Sequence, residues 1–264
     1  MVLDHAIEAA ARRGRGVVLA SLLGIAALAW VYLFWGASRM GGIDMSMARA
    51  GPGSAPFAAT FLMWAVMMVG MMLPSAAPAI LLYGGLARKS RERGRTVPSI
   101  YVFATGYLIV WTLFSAFAAG LQVLLGRLVL LSPTVVSVSY TLSGAFLVAA
   151  GLYQWLPVKD ACLRTCRAPL QFFSTHWREG RAGALRMGLD HGVICVGCCW
   201  ALMLLLFVGG VMNLLWVAVV AGFILVEKLL PGGRLTGRFA GGGLIVVGLV
   251  TLAGGFDGVR ALLP

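Results

Sequence analysis

VICVGCCWALMLLLFVGGVMNLLWVAVVAGFILV, residues 193–226, carries no charged side chain. At ~1.5 Å of rise per residue, one helix of that length reaches about 50 Å, well beyond the ~30 Å hydrocarbon core of a bilayer. Gly209, Gly210 and Asn213 supply a turn in its middle. Arg181 and Arg186 precede the stretch and Lys228 and Arg234 follow it, as expected if both ends lie on the same side of a membrane. It therefore reads as two spans joined by a tight hairpin.

The same pattern runs through the chain. Apolar stretches at roughly 17–36, 57–86, 99–125, 134–156, 187–209, 213–230 and 239–256 give seven spans of about the ~20 residues needed to cross. They are continuous and lack the two-residue alternation of a membrane barrel. Sixty per cent of the 264 residues are hydrophobic, 11% are charged, and the mean hydropathy is +0.92. One soluble core of this size cannot hide so much apolar surface, so the bilayer acts as the solvent. The expected fold class is all-α, a polytopic transmembrane bundle forming a single membrane domain over 1–264.

Arg12, Arg13 and Arg15 precede the first stretch, which has no small-residue cleavage site after a short apolar core; it reads as a retained helix. Alternating seven spans from a cytoplasmic N-terminus leaves only Arg39, Arg49, Arg127 and Arg260 of the 21 basic residues outside. That orientation puts the segment 1–16 and a cysteine-containing loop, 157–186, in the cytoplasm. It also accounts for the formal charge of +12 without nucleic acid, for which there is no aromatic–basic motif. The expected location is a bacterial cytoplasmic (inner) membrane, crossed several times.

The five cysteines are Cys162, Cys166, Cys195, Cys198 and Cys199. On a helix, His191, Cys195 and Cys199 follow one another at i,i+4, with Cys198 three beyond Cys195. One face then carries an imidazole and two or three thiols, and Cys162 and Cys166 share a face if they too are helical. All five lie in or beside the cytoplasmic half of the membrane, where thiols stay reduced. Clustered reduced thiols beside an imidazole are soft-metal ligands. Cysteine is also a small hydrophobe that packs readily in such helices, so packing is the competing reading.

Methionine is the second feature. Met63, Met67 and Met71 form one i,i+4 ladder and Met68 and Met72 a second beside it, with Pro74 and Pro78 following. Met40, Met45 and Met47 surround Asp44 on the outer side. Thioethers bind Cu(I) and form no disulfide, so methionine outside and cysteine inside is the polarity of a Cu(I) path; a plain packing stripe is the alternative. The prolines are expected to kink helix two and free carbonyls near the ladder. Asp190 and His191 open span five while Glu227 and Lys228 close span six, so the two ends should be neighbours. Glu227 then orients His191 or ligates the metal; otherwise an Asp190–Lys228 or Glu227–Lys228 pair holds the hairpin.

At Met63–Pro74, Tyr153–Cys166, Gly188–Gly192 through Gly197–Trp200, and Gly209–Asn213 to Lys228, the chain resembles a family of bacterial integral membrane proteins described as predicted metal-binding. The resemblance covers most of spans two to six. It implies a metal site at Cys162, Cys166, His191, Cys195, Cys198 and Cys199. That family often has a basic residue where this chain has Asp190.

Three functional classes follow. One is a membrane protein that holds Cu(I), passes it across, or delivers it to a partner such as a copper-dependent oxidase. Another is a membrane oxidoreductase using copper or iron; a bis-histidine haem is excluded because His191 is the only intramembrane histidine. The third is an assembly subunit among other membrane subunits, with zinc or no metal. No Walker loop, Ser-His-Asp set or paired carboxylates is present.

Overall fold

The computed structural model describes residues 2–40, 54–94, 98–128, 140–230 and 232–253. Asp44, Met45, Met47, the Met40 side chain, residues 134–139 and residues 254–256 lie outside the described residues. Every regular element among the described residues is a helix. In chain order these are α1 (Val2–Met40), α2 (Ser54–Glu92), α3 (Ile100–Arg127), α4 (Tyr140–Tyr153) and α5 (Pro157–Arg167). Then come α6 (Pro169–His176), α7 (Gly180–Met203), α8 (Leu205–Gly209), α9 (Leu214–Leu229) and α10 (Gly233–Leu252).

Among the described residues, five helices are long and apolar enough to cross a membrane: Gly16–Ser38, Phe57–Glu92, Ile100–Arg127, Gly180–Gly209 and Gly233–Leu252. A sixth crossing forms if α4 and α5, bent by 65° at their junction, count as one. α9 is shorter, at 16 residues. Asn213 caps its start, accepting the Trp216 N–H at 3.1 Å, and Pro231 stops it by disfavouring helix at Leu230.

The expected hairpin between α8 and α9 is present. Gly210 has φ +93°, a conformation open chiefly to glycine, and Gly209 lies against the Trp216 ring. Trp216 Nε1 donates to the Leu205 carbonyl at 2.7 Å, satisfying an acceptor at the α7–α8 break. Helix α2 runs on through Pro74 and Pro78. Between them and the ladder, the Met72 carbonyl is approached by two hydroxyls, Ser75 at 2.9 Å and Tyr107 at 3.2 Å.

α1 packs on α2, α2 on α3, α3 on α7, α5 on α7 and α4 on α10. Between apolar helices in lipid, close packing replaces the hydrophobic effect as the force of association, and small residues permit it. A Cβ added at Gly188 would meet the Phe103 carbonyl oxygen, and one at Gly106 the Leu185 carbonyl oxygen. α3 and α7 thus touch backbone to backbone. Gly188→Val is expected to destabilise the bundle by about 1–3 kcal/mol or more through overpacking. An unchanged midpoint of thermal unfolding in detergent would contradict this.

Candidate metal centre

Two proline breaks build one side of the site. Pro157 opens α5 after the bend, and Pro169 opens α6, leaving Ala168 non-helical between them. The resulting α5 is a short amphipathic helix that buries Lys159, Asp160 and Leu163 and lies across α7. It is clamped by ion pairs. Lys159 Nζ reaches Glu227 Oε1 at 2.6 Å and Oε2 at 2.8 Å, with both side chains 2% exposed, and also bonds to Gln154. Asp160 Oδ2 accepts Arg234 at 2.6 Å and Arg238 at 3.3 Å.

That clamp sets Cys166 of α5 against α7. The sulfurs of Cys166, Cys195 and Cys198 all lie within 4.8 Å of one another, and Cys166 Sγ is 3.9 Å from Cys198 Sγ. Three thiolates bound in a plane to one ion at ~2.3 Å stand ~4 Å apart, so the spacing is already that of a ligand set. All three thiols are free, and those of Cys195 and Cys198 are buried. The Cys198 thiol also donates to the Cys195 carbonyl at 3.0 Å.

Cys195 has the most polar surroundings. Lys228 Nζ donates to its sulfur at 2.9 Å and to Ser75 Oγ at 3.2 Å, and Tyr107 Oη lies 3.1 Å from the same sulfur. Lys228 is 6% exposed. A buried ammonium needs an anion beside it, and Ser75 is neutral, so the cysteine sulfur is the group able to supply the charge. Tyr107 ties this sulfur to helix α2, since its one hydroxyl proton faces both Cys195 and the Met72 carbonyl.

The other expected site residues fall around this trio rather than in it. Cys199 is buried, its thiol donating to the Cys195 carbonyl at 3.0 Å. Cys162, one turn before Cys166, is partly exposed, with its sulfur 2.9 Å from where a Cβ on Gly197 would stand. His191 is buried among Phe103, Tyr107 and Phe172, with ring centroids at 6.0, 5.9 and 5.2 Å. Its Nδ1 has no partner among the described residues. Met67, Met68, Met71 and Met72 are buried in the core beside the cysteines, and Met63 packs on its edge.

Two expected pairings are replaced. Glu227 binds Lys159, not His191 or Lys228, and Lys228 binds Cys195, not Asp190. Adjacent residues on a helix point ~100° apart, so Glu227 and Lys228 serve different neighbours. Asp190 is partly buried and shows no hydrogen bond or ion pair among the described residues. Lys159, Gln154, Ser75 and Tyr107 escaped the sequence reading. A lysine in a polar segment reads as solvated, and only the apolar face of α5 signals that Lys159 turns inward.

A family model described as copper chaperone (PpoB2) matches residues 61–251. The chain belongs to this copper-chaperone family. The match runs from the methionines of α2 to the end of α10 and includes every cysteine. Comparison with curated proteins and with solved structures gave no match. Membership in the copper-chaperone family and the thiol cluster together point to copper binding, and the soft donor set fits that metal.

Proposed function

We propose that the chain is a membrane-embedded Cu(I) carrier whose cargo is held by Cys166, Cys195 and Cys198. The observation that carries this reading is the convergence of three thiol sulfurs from two helices within 4.8 Å. Thiolate ligands favour Cu(I), and a water-poor surround keeps the ion from hydrolysis and adventitious oxygen ligands. With one of the three sulfurs bound as a neutral thiol, two thiolates, one Cu(I) and the Lys228 ammonium sum to zero charge, the condition for burying them together.

In this reading seven spans run from a cytoplasmic N-terminus in a bacterial inner membrane, with α9 as the short sixth. The basic segment 157–186 and the thiols face the cytoplasm. Met67, Met68, Met71 and Met72 form the thioether route from the trio along α2, with Met63 further out. What supports the route is the burial of these residues in the core that holds the cysteines, and the Tyr107 link from Met72 to Cys195. His191 and Cys199 flank the held ion, and Asp190 lies at the inner edge. Delivery to a copper-dependent oxidase or another membrane subunit is the corresponding use of the cargo.

Elemental analysis of the detergent-purified chain, loaded with Cu(I) or Zn(II), tests the reading against a Cys166→Ser/Cys195→Ser/Cys198→Ser variant. About one copper per native chain, and little in the variant, is the expected result. Equal copper in both would overturn the assignment. Lys228→Met is expected to weaken Cu(I) binding by about 10–100-fold, because Cys195 loses the cation that holds it oriented and ionised. Competition with a chromophoric Cu(I) chelator measures this; an unchanged dissociation constant would contradict it.

A further inference from the structure

We infer that Cys162 is the transfer thiol of this site: it exchanges Cu(I) between the trio and an anionic thiolate carrier drawn to the basic segment 157–186. The inference rests on the Cu(I) reading above. It starts from a division among the five cysteines that the geometry makes. Cys195 and Cys198 are 1% exposed and cannot meet an external donor directly. Cys162 and Cys166 are both partly exposed and one helical turn apart, so both thiols project from one face of α5, and of the two only Cys166 belongs to the trio. Its sulfur occupies the space left by the absent side chain of Gly197, the residue before Cys198. It therefore stands beside the trio without belonging to it.

Passage of a soft monovalent ion between thiolates proceeds by ligand exchange, with no change of oxidation state. A Cu–S bond forms at Cys162 as one to the carrier's sulfur breaks, and the proton of the Cys162 thiol goes to the departing thiolate. A second exchange forms bonds to the Cys195 sulfur, to Cys166 and to Cys198 and releases Cys162; one of the last two thiols gives its proton to Cys162 and the other binds with its proton kept. The reverse order unloads the ion. A thiol one turn from a final ligand keeps each step short, so no free ion forms.

Charge in the surrounding segment identifies the carrier's chemistry. Segment 157–186, which contains Cys162, holds six basic residues against Asp160 and Glu179, and Arg164, Arg178, Arg181 and Arg186 are exposed. A net positive segment attracts an anionic carrier and repels a cationic one.

The test follows Cu(I) uptake by the detergent-solubilised full chain, with Cu(I)–glutathione as donor and the thiolate–copper absorption as signal. Cys162→Ser is expected to reach the native copper content at equilibrium but to load about tenfold more slowly or worse, since the positioned relay is gone. Cys162→Met, which keeps a soft sulfur donor, should load faster than Cys162→Ser, and added salt should slow the native chain. Loading of Cys162→Ser within about twofold of native, equal rates for the two variants, or loss of copper at equilibrium would each overturn the role. A native chain that takes up no Cu(I) would overturn the copper reading together with it.

Discussion

Cys195→Ser is expected to lose both copper and stability, whereas Cys198→Ser loses copper alone. Both sulfurs belong to the trio, so either substitution leaves two soft donors and a hard hydroxyl that Cu(I) does not favour. Copper content should fall well below half of native in each. The variants part company without metal. The Lys228 ammonium rests on Cys195 Sγ at 2.9 Å with Ser75 as its other hydrogen-bond partner among the described residues, and serine at position 195 cannot supply the anion. Leaving a buried ammonium with neutral partners costs about 1–3 kcal/mol. Cys198 makes a weak thiol bond to the Cys195 carbonyl, which serine can replace, and a 3.9 Å contact with Cys166 Sγ, and neither compensates a buried charge. Thermal unfolding of the two metal-free variants should therefore show a lower midpoint for Cys195→Ser. Equal midpoints would remove the Lys228–Cys195 charge pair from the account.

Lys159→Met should be the most damaging single change outside the thiols. It leaves Glu227, 2% exposed, with its counter-ion removed and Gln154 deprived of a donor. Breaking a buried pair from one side costs about 3–5 kcal/mol, because the remaining charge stays desolvated. The double variant Lys159→Met/Glu227→Leu should recover most of that loss, since two apolar groups then meet. The clamp also places α5, so Lys159→Met should weaken copper binding through Cys166. Detergent unfolding and chelator competition read the two effects. A double variant no more stable than the single would show that the ion pair is not what the clamp depends on.

The membrane-like character and the all-helical class were legible because apolar run length is a direct physical requirement of crossing lipid. The α8–α9 hairpin was legible for a local reason, since Gly209, Gly210 and Asn213 interrupt a run too long for one span. Helical spacing also showed that Cys195 and Cys198 share a face, and that Cys162 and Cys166 do so if helical. It did not separate Cys198 from Cys199 as members of the trio. That choice depends on the side from which α5 packs on α7, a property set by the bend before Pro157 and the Lys159–Glu227 pair.

The ionic partners were least legible. Sequence proximity paired Glu227 with Lys228 and placed Asp190 near them, but helical geometry turns neighbours apart, and the true partner of Glu227 lies 68 positions away at Lys159. Lys228, read as a surface or hairpin cation, proves to be the buried counter-charge of a thiol.

X-ray absorption at the copper edge of the Cu(I)-loaded chain tests the central claim most directly. The account predicts three sulfur neighbours at ~2.3 Å, falling to two in Cys166→Ser, because that thiol alone comes from α5. A first shell of nitrogen or oxygen, or a spectrum unchanged by Cys166→Ser, would contradict it.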